Sequence, residues 1–147
     1  MLKYTDELIE KYNIDKIFLV TEEQKYLDLF IKYYGEKVFF TNSFRIYKVN
    51  SYNLNPRENH RYLLGLEVLI DALLLSKCNG LLCGDSNVSE FARFENNQKF
   101  EFIYKICNGV NSSNPFIALF LYKIKKLFPS GFGGLLDKVE IITNEIN

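Results

Sequence analysis

The stretch from Gly65 to Ala92 constrains the fold more than any other part of the sequence. Just before and within it, residues from Leu63 to Leu75 are apolar on nearly every side of a helix, which is the pattern of a buried helix. Asn79 and Gly80 then predict a turn, and residues 81–84 predict a short apolar strand. A buried helix followed directly by a buried strand needs other layers to cover both, which favours an α/β fold.

Predicted strands and helices alternate along the first two thirds of the chain. Short runs rich in β-branched and aromatic residues predict the strands, and apolar residues at helical spacing predict the helices. The predicted strands are 16–21, 37–41 and 81–84, and the predicted helices are 5–12 with Thr5 as N-cap, 22–34 ending at Gly35, 59–77 and 86–93. This alternation predicts a Rossmann-like parallel sheet with helices on both faces.

The pattern changes after Glu95. Residues 99–106 alternate like a half-exposed edge strand, 116–128 predict a helix, and 139–143 predict a last strand. Since neither a repeat nor a low-complexity linker interrupts the chain, we expect one domain over residues 1–147, with 94–147 as a C-terminal extension.

Composition and charge exclude several classes of function. Acidic and basic residues are equal at 18 each, so no nucleic-acid partner is expected. The three cysteines lack metal-site spacing and two lie in apolar sequence, which favours a reducing, cytoplasmic setting. A signal peptide and a membrane-spanning run are both missing from the sequence. Lys123, Lys125 and Lys126 either lie in solvent or contact an anionic membrane surface from the periphery.

Asp71 interrupts the most apolar helix. A carboxylate in a buried helix loses its hydration unless hydrogen-bond donors meet it. Glu67 lies one turn earlier on the same face, so two like charges are stacked there. One suitable partner is a guanine edge, which presents two N–H donors side by side. The alternative is an internal partner, namely Arg61, a lysine or a backbone amide.

The turn Gly84-Asp85-Ser86-Asn87 between a strand and a helix is a second candidate site. Free backbone N–H groups, hydroxyls and the helix dipole together suit a phosphate. The alternative is ordinary capping of the helix by Asp85 or Ser86. The sequence does not have the glycine-lysine signature of a P-loop.

Two further positions have weaker signals. Thr21-Glu22-Glu23 follows the first predicted strand, where open α/β sheets bind ligands, although acids also suit the first turn of a helix. His60, the single histidine, has no nucleophile or orienting partner positioned by the sequence, so we predict a cap or surface residue. A hydrolase elbow of the form G-x-S-x-G does not occur.

Together these segments resemble the C-terminal half of the α-1,6-fucosyltransferase and nodulation-fucosyltransferase superfamily, with protein O-fucosyltransferases as more distant relatives. The resemblance covers about residues 4–93 and centres on a helix, an apolar strand and a serine-containing turn. The matching residues are Gly65, Asp71, Leu75, Ser76, Asn79, Leu81-Leu82-Cys83 and Ser86-Asn87-Val88-Ser89, with Thr21-Glu22-Glu23 at a strand end and Arg45 or Arg61 later.

The resemblance implies one half of a GT-B-type glycosyltransferase, the half that holds most of a GDP-sugar. Asp71 would accept hydrogen bonds from guanine, Glu22 would lie near the sugar or ribose, and the serine turn would meet the phosphates. The nucleotide-sugar-binding residues that it implies are Glu22, Asp71, Gly84, Asp85, Ser86 and Asn87. Enzymes of this family invert the anomeric carbon without a metal, so we expect no metal and no cofactor beside the GDP-sugar substrate.

Two departures from the family pattern bear on activity. Glu22 and Glu23 stand where the family has Asp. The upstream His-x-Arg-Gly-Thr-Asp segment, whose arginine offsets charge on the departing diphosphate, is absent, so we assign no catalytic residue and expect an upstream catalytic half as a partner. We therefore expect a fucosyltransferase-like domain that binds a GDP-sugar for transfer to a surface or secreted glycan. The alternatives are a non-catalytic nucleotide-binding fragment and a flavodoxin-like interaction domain without a ligand.

Overall fold

The computed structural model describes residues 1–47, 56–108, 114, 116–117, 120 and 137–142. Helices and strands alternate through most of this range, as the sequence predicts. The helices are α1 (Leu2–Tyr12), α2 (Gln24–Tyr34), α3 (His60–Leu75) and α4 (Asn87–Glu95), with a short 3₁₀ turn at Gly35–Lys37. The strands are β1 (Ile17–Phe18), β2 (Val38–Phe39), β3 (Gly80–Gly84), β4 (Phe102–Asn108) and β5 (Asp137–Ile142).

The strands form two small sheets. β1 and β2 pair in parallel, with Ile17 opposite Val38. The second sheet has the order β3-β4-β5, in which β3 and β4 are parallel and β4 and β5 are antiparallel. Since α2 connects β1 to β2 and α4 connects β3 to β4, the chain contains two β–α–β units joined by α3. The α/β class is confirmed, but the described strands form two separate sheets rather than one open Rossmann-like sheet.

Strand β4 differs from its prediction. The alternation over 99–106 predicts a half-exposed edge strand, whereas β4 lies at the centre of its sheet with Phe102, Ile103, Tyr104 and Ile106 buried. The prediction is wrong because β5 pairs along the outer side of β4. The polar member of the alternation, Lys105, is accommodated by ion pairs rather than by solvent.

The core lies on the two faces of the β3-β4 pair. Alternate residues of a strand point to opposite faces, which separates the buried side chains into two clusters. One cluster contains Leu81, Cys83, Phe100 and Ile103 with Leu75 and Cys78 against it, and the other contains Leu8, Phe102 and Tyr104 with Tyr12, Ile14 and Leu82. Burial raises the pKa of the Cys83 thiol, so this side chain packs as a small apolar group.

Most helix limits agree with the sequence, and one cap does not. α1 begins at Leu2, so Thr5 is not its N-cap; Thr5 is buried inside the helix and its hydroxyl donates to the Met1 carbonyl at 3.3 Å. Gly35 ends α2 with a φ of 54°, a left-handed value that glycine adopts without strain.

The helix predicted at 116–128 lies mostly outside the described residues. The structure describes only residues 116, 117 and 120 of it, in helical conformation. Lys123, Lys125 and Lys126, and with them the predicted membrane contact, therefore lie outside the described residues. Within the described part, no helix has the length and apolar character needed to cross a membrane.

Candidate functional site

A small cavity lies where the segments that follow three strands come together; we call it the strand-end cavity. It has a volume of about 50 Å³. Its walls come from the segment after β1, the segment after β2, the inward side of α3 and the start of α4. The lining residues are Val20, Thr21, Glu22, Ser43, Phe44, Leu64, Glu67, Val68, Asp71 and Val88. In open α/β folds this side of the strands is where ligands bind.

A short parallel contact holds two of these walls together. Glu23 and Ile46 form an isolated β-bridge. The Ile46 N–H donates to the Glu22 carbonyl at 2.9 Å, and the Gln24 N–H donates to the Ile46 carbonyl at 3.0 Å. The segment that follows β2 is thereby fixed against the start of α2, which brings Ser43 and Phe44 to the cavity beside Glu22.

Asp71 is buried, with 6% of its surface exposed, and two hydroxyl groups meet its carboxylate. Thr41 Oγ1 donates to Oδ1 at 2.5 Å, and Ser43 Oγ donates to Oδ2 at 3.1 Å. Arg61, an internal partner that the sequence suggests, is exposed and is not this partner. Among the described residues, no lysine or arginine forms an ion pair with Asp71. The carboxylate of Asp71 is therefore hydrogen-bonded, but no cation among the described residues neutralises its charge.

Arg45 fixes the segment that carries those hydroxyls. Its Nη2 donates to the Thr41 carbonyl at 2.8 Å, and its Nη1 donates to the Ser43 carbonyl at 3.1 Å. The guanidinium also lies over the Phe40 ring, 5.3 Å from the ring centroid. Because both carbonyls are held, the two hydroxyls are directed toward Asp71.

Glu67 is satisfied in a different way, by a guanidinium. Arg57 Nη1 and Nη2 donate to the two carboxylate oxygens at 2.7 Å each, which is a bidentate pair. The Phe44 N–H donates to Glu67 Oε2 at 3.1 Å. The hydrogen bond from Arg57 is the main cause that lowers the pKa of Glu67, and the same contact raises the pKa of Arg57. Glu67 is thus ionised, and both of its carboxylate oxygens are paired with Arg57.

His60 extends this cluster. Arg57 Nε donates to His60 Nδ1 at 3.2 Å, so Nδ1 is the acceptor nitrogen of the ring. The ring packs edge-on against Phe44, with centroids 4.8 Å apart. The prediction of a cap or surface residue is wrong, because His60 is buried as the first residue of α3. Its contacts are those of a structural residue.

The Gly84–Asn87 turn lies outside the strand-end cavity, and its side chains form a helix cap and an ion pair within the protein. Ser86 is the N-cap of α4, since the Ser89 N–H donates to Ser86 Oγ at 3.2 Å. Asp85 pairs with Lys105 Nζ at 3.0 Å. That pair is the main cause that raises the pKa of Lys105, and Glu90 contributes through a second pair at 3.1 Å.

The structure therefore brings part of the expected site together. Glu22 and Asp71 line the strand-end cavity. Gly84, Asp85, Ser86 and Asn87 do not line it, although Val88, one residue further, does.

Sequence reasoning missed Thr41, Ser43, Arg57 and Lys105. Thr41 is the last residue of a predicted strand and Ser43 lies two residues beyond it, so the strand-end rule that identifies Glu22 is a usable signal for them. No local sequence pattern identifies Arg57 or Lys105, because only the tertiary fold brings each of them close to its carboxylate partners.

A second, larger cleft lies between α1 and the end of α2. It has a volume of about 330 Å³ and contains none of the expected site residues. Tyr34 lies in its wall and donates to Asp6 Oδ1 at 2.8 Å. Burial, with this hydrogen bond as the next cause, raises the pKa of Tyr34 to about 12. The tyrosine therefore stays protonated at neutral pH.

Comparisons with known proteins do not assign the chain to a family. Protein-family models, curated proteins and solved structures were compared, and none matches it. Among the described residues, no group of three or more histidine, cysteine or carboxylate side chains is arranged to hold a metal ion. A function for this chain can therefore be inferred only from the geometry of the strand-end cavity and from the sequence resemblance.

Proposed function

We propose that the chain is a fucosyltransferase-like glycosyltransferase domain that binds the nucleotide of a GDP-sugar at the strand-end cavity. The observation that carries this proposal is the composition of the cavity. Residues that follow β1, β2 and β3 all line it, together with the buried carboxylate Asp71. Such a meeting of strand ends is the usual location of nucleotide sites in α/β proteins.

The hydrogen bonds of Asp71 suit a guanine edge. Two neutral donors, the hydroxyls of Thr41 and Ser43, now occupy its two oxygens. Guanine presents the same number of donors, N1–H and the exocyclic amine, in one plane. On binding, the base would replace the hydroxyls one for one, and each hydroxyl would be free to rotate toward a new acceptor.

The cavity is too small to hold a nucleotide without movement of one of its walls. Pockets for small molecules usually measure about 300–1,000 Å³, whereas this cavity measures about 50 Å³. A nucleotide would therefore bind only with displacement of a wall. Residues 41–45 form neither helix nor strand, whereas α3 is a continuous helix of 16 residues. We therefore assign the movement to residues 41–45, which would require the contacts of Arg45 or the Glu23–Ile46 bridge to open. The phosphates would extend toward Val88 and the start of α4, where backbone N–H groups and the helix dipole favour an anion.

The test is calorimetric titration of the purified chain with GDP, with UDP and ADP as controls. We expect selective GDP binding, and we expect Asp71→Asn to weaken it by about 10- to 100-fold, since a charged acceptor of two hydrogen bonds is lost. The fold should tolerate this change because a hydroxyl can accept from the new amide as readily as it donates to a carboxylate.

Asp28→Asn is the matched control. Asp28 is an exposed carboxylate on α2 that is bonded to Gln24, and its replacement should leave GDP affinity unchanged. Full affinity in Asp71→Asn, or equal binding of all three nucleotides, would contradict the proposal. Adding a GDP-sugar and a glycan acceptor, with and without an upstream polypeptide, then separates a transferase from a non-catalytic nucleotide-binding fragment.

A further inference from the structure

The outward face of α3 is apolar and exposed. Its aliphatic side chains are 37–46% exposed, and Tyr62 at the start of the helix is 72% exposed. These aliphatic residues are Leu66, Leu69, Ile70, Leu73 and Leu74. The largest apolar patch on a soluble protein is often a functional surface, so a partner surface is expected there.

The spacing on this face is that of a helix–helix seam. Tyr62, Leu66, Leu69 and Leu73 follow one another at intervals of four, three and four residues. This is the alternation by which two helices interlock their side chains. We call these four residues, with Ile70 and Leu74 beside them, the α3 stripe. It contains no charged residue. Asp71 lies on the opposite side of α3, and Glu67, which borders the stripe next to Ile70 and Leu74, lines the strand-end cavity and is paired with Arg57.

Gly65 adds an independent observation. It lies three residues after Tyr62 and four before Leu69, and so on the same face as the α3 stripe. Glycine is a poor helix former, and a Cβ added at Gly65 would meet nothing within 4 Å. Packing within the described chain therefore does not require glycine there. Close approach of another helix would require it.

We propose that the α3 stripe is the interface of a homodimer in which two α3 helices pack antiparallel. A stripe without charge is complementary to itself, which suits a two-fold contact. Its exposed surface amounts to roughly 500 Å² per chain, so complete burial in two copies would remove about 1,000 Å² from solvent, the lower limit for a specific interface.

The antiparallel orientation follows from the ends of the helix. It places the N-terminal end of one α3, where Glu58 is exposed, against the C-terminal end of the other, where Lys77 is exposed. The two helix dipoles then oppose each other, which is also favourable. Arg61 points about 100° away from Tyr62 and so lies off the seam. This proposal does not depend on the proposed function, since the stripe and the strand-end cavity lie on opposite sides of α3.

Sedimentation velocity over a series of protein concentrations tests the dimer. The wild-type chain should shift from 17.3 kDa toward twice that mass, with a dissociation constant in the micromolar range because the interface is small. Leu69→Lys should weaken the association at least about 100-fold, since a two-fold contact would bury two like charges together. Phe94→Lys is the control: Phe94 is 78% exposed on α4, outside the stripe, and its replacement should leave the dimer intact.

Gly65→Leu distinguishes an effect on dimerisation from an effect on folding. Because no described residue lies within 4 Å of a Cβ at this position, helix content and melting temperature should be maintained or raised, while dimerisation should be lost. A wild-type chain that stays monomeric and helical at every concentration would overturn the proposal. Unchanged association in both Leu69→Lys and Gly65→Leu would overturn it equally.

Discussion

Two buried or half-buried carboxylates one turn apart on α3 are stabilised in opposite ways. Glu67 takes a bidentate pair from Arg57, whereas Asp71 takes two hydroxyl hydrogen bonds. A guanidinium neutralises a charge as it hydrogen-bonds, but a hydroxyl does not. Of the two, Asp71 is therefore the carboxylate that retains the capacity to attract a donor-rich ligand, and Glu67 is the one that contributes to the fold.

Replacement of Glu67 by Gln tests this division at the level of one residue. The pKa of Glu67 is lowered from its ordinary value of 4.5, chiefly by Arg57. A lowered pKa in the folded state contributes stability that is complete above the ordinary value and is lost as the pH falls through the lowered one. We expect Glu67→Gln to reduce the free energy of unfolding by about 1 kcal/mol at neutral pH, because part of the pair is solvent-exposed.

Urea denaturation of both proteins at several pH values measures this effect. The difference between wild type and Glu67→Gln should shrink steadily below pH 4.5, where the carboxylate becomes protonated. Glu7→Gln is the control, since Glu7 is half exposed in a surface pair with Lys3 and should show little difference at any pH. A difference that is constant with pH would mean that Arg57 does not stabilise the ionised form.

The sequence predicted that hydrogen-bond donors must meet the carboxylates of α3, and this is confirmed. It did not identify the donors. Arg57 lies 10 residues from Glu67, and Thr41 lies 30 residues from Asp71. Helical periodicity relates residues three or four apart, so it contains no information about partners that only the tertiary fold brings together.

The ring of Phe102 limits the space for a side chain at Gly80, the first residue of β3. A Cβ added at Gly80 would overlap the tip of that ring. Phe102 is buried and stacked on Tyr12 with centroids 4.1 Å apart, so the ring has little room to move away. We expect Gly80→Ala to lower the free energy of unfolding by about 1–3 kcal/mol through overpacking.

The opposite end of β3 provides the matched control. A Cβ added at Gly84 would meet nothing within 4 Å, so Gly84→Ala should change the free energy of unfolding by less than about 0.5 kcal/mol. Denaturant unfolding of the two variants measures the contrast. Equal stabilities would show that the Phe102 ring moves without cost and that its stack with Tyr12 contributes little.

Helices and strands differ in how well the sequence predicted them. The predicted start of α3 at residue 59 or 60 agrees with His60, and the predicted end near residue 77 is close to Leu75, because a long apolar period defines a helix locally. β1 and β2 occur where they were predicted but span only two residues each. The sequence of β4 predicts an edge strand, but β4 is central because β5, a strand far away along the chain, pairs with it. Local patterns thus predict that a strand exists but not which neighbours it has.

Buried apolar side chains are distributed unevenly over the two sheets. β4 is the central strand of its sheet, and both hydrophobic clusters contact it. β1 and β2 pair over only two residues and bury less. Small units with few buried contacts open locally, at lower free energy than the rest of the protein. The strand-end cavity lies beside this weaker sheet, which is where the movement that a nucleotide requires would cost least.

Hydrogen exchange with and without GDP tests this arrangement. We expect the amides of β4 to exchange slowest, through global unfolding, and the Leu19 N–H, which donates to the Phe39 carbonyl at 2.8 Å, to exchange through local opening. GDP at 100 times its dissociation constant should slow exchange at Leu19 and Ile46 by about 100-fold, because those openings would break the site. In Asp71→Asn at the same GDP concentration this protection should largely disappear. Protection of β4 alone would place the ligand on the other sheet, and would move the nucleotide site away from Asp71.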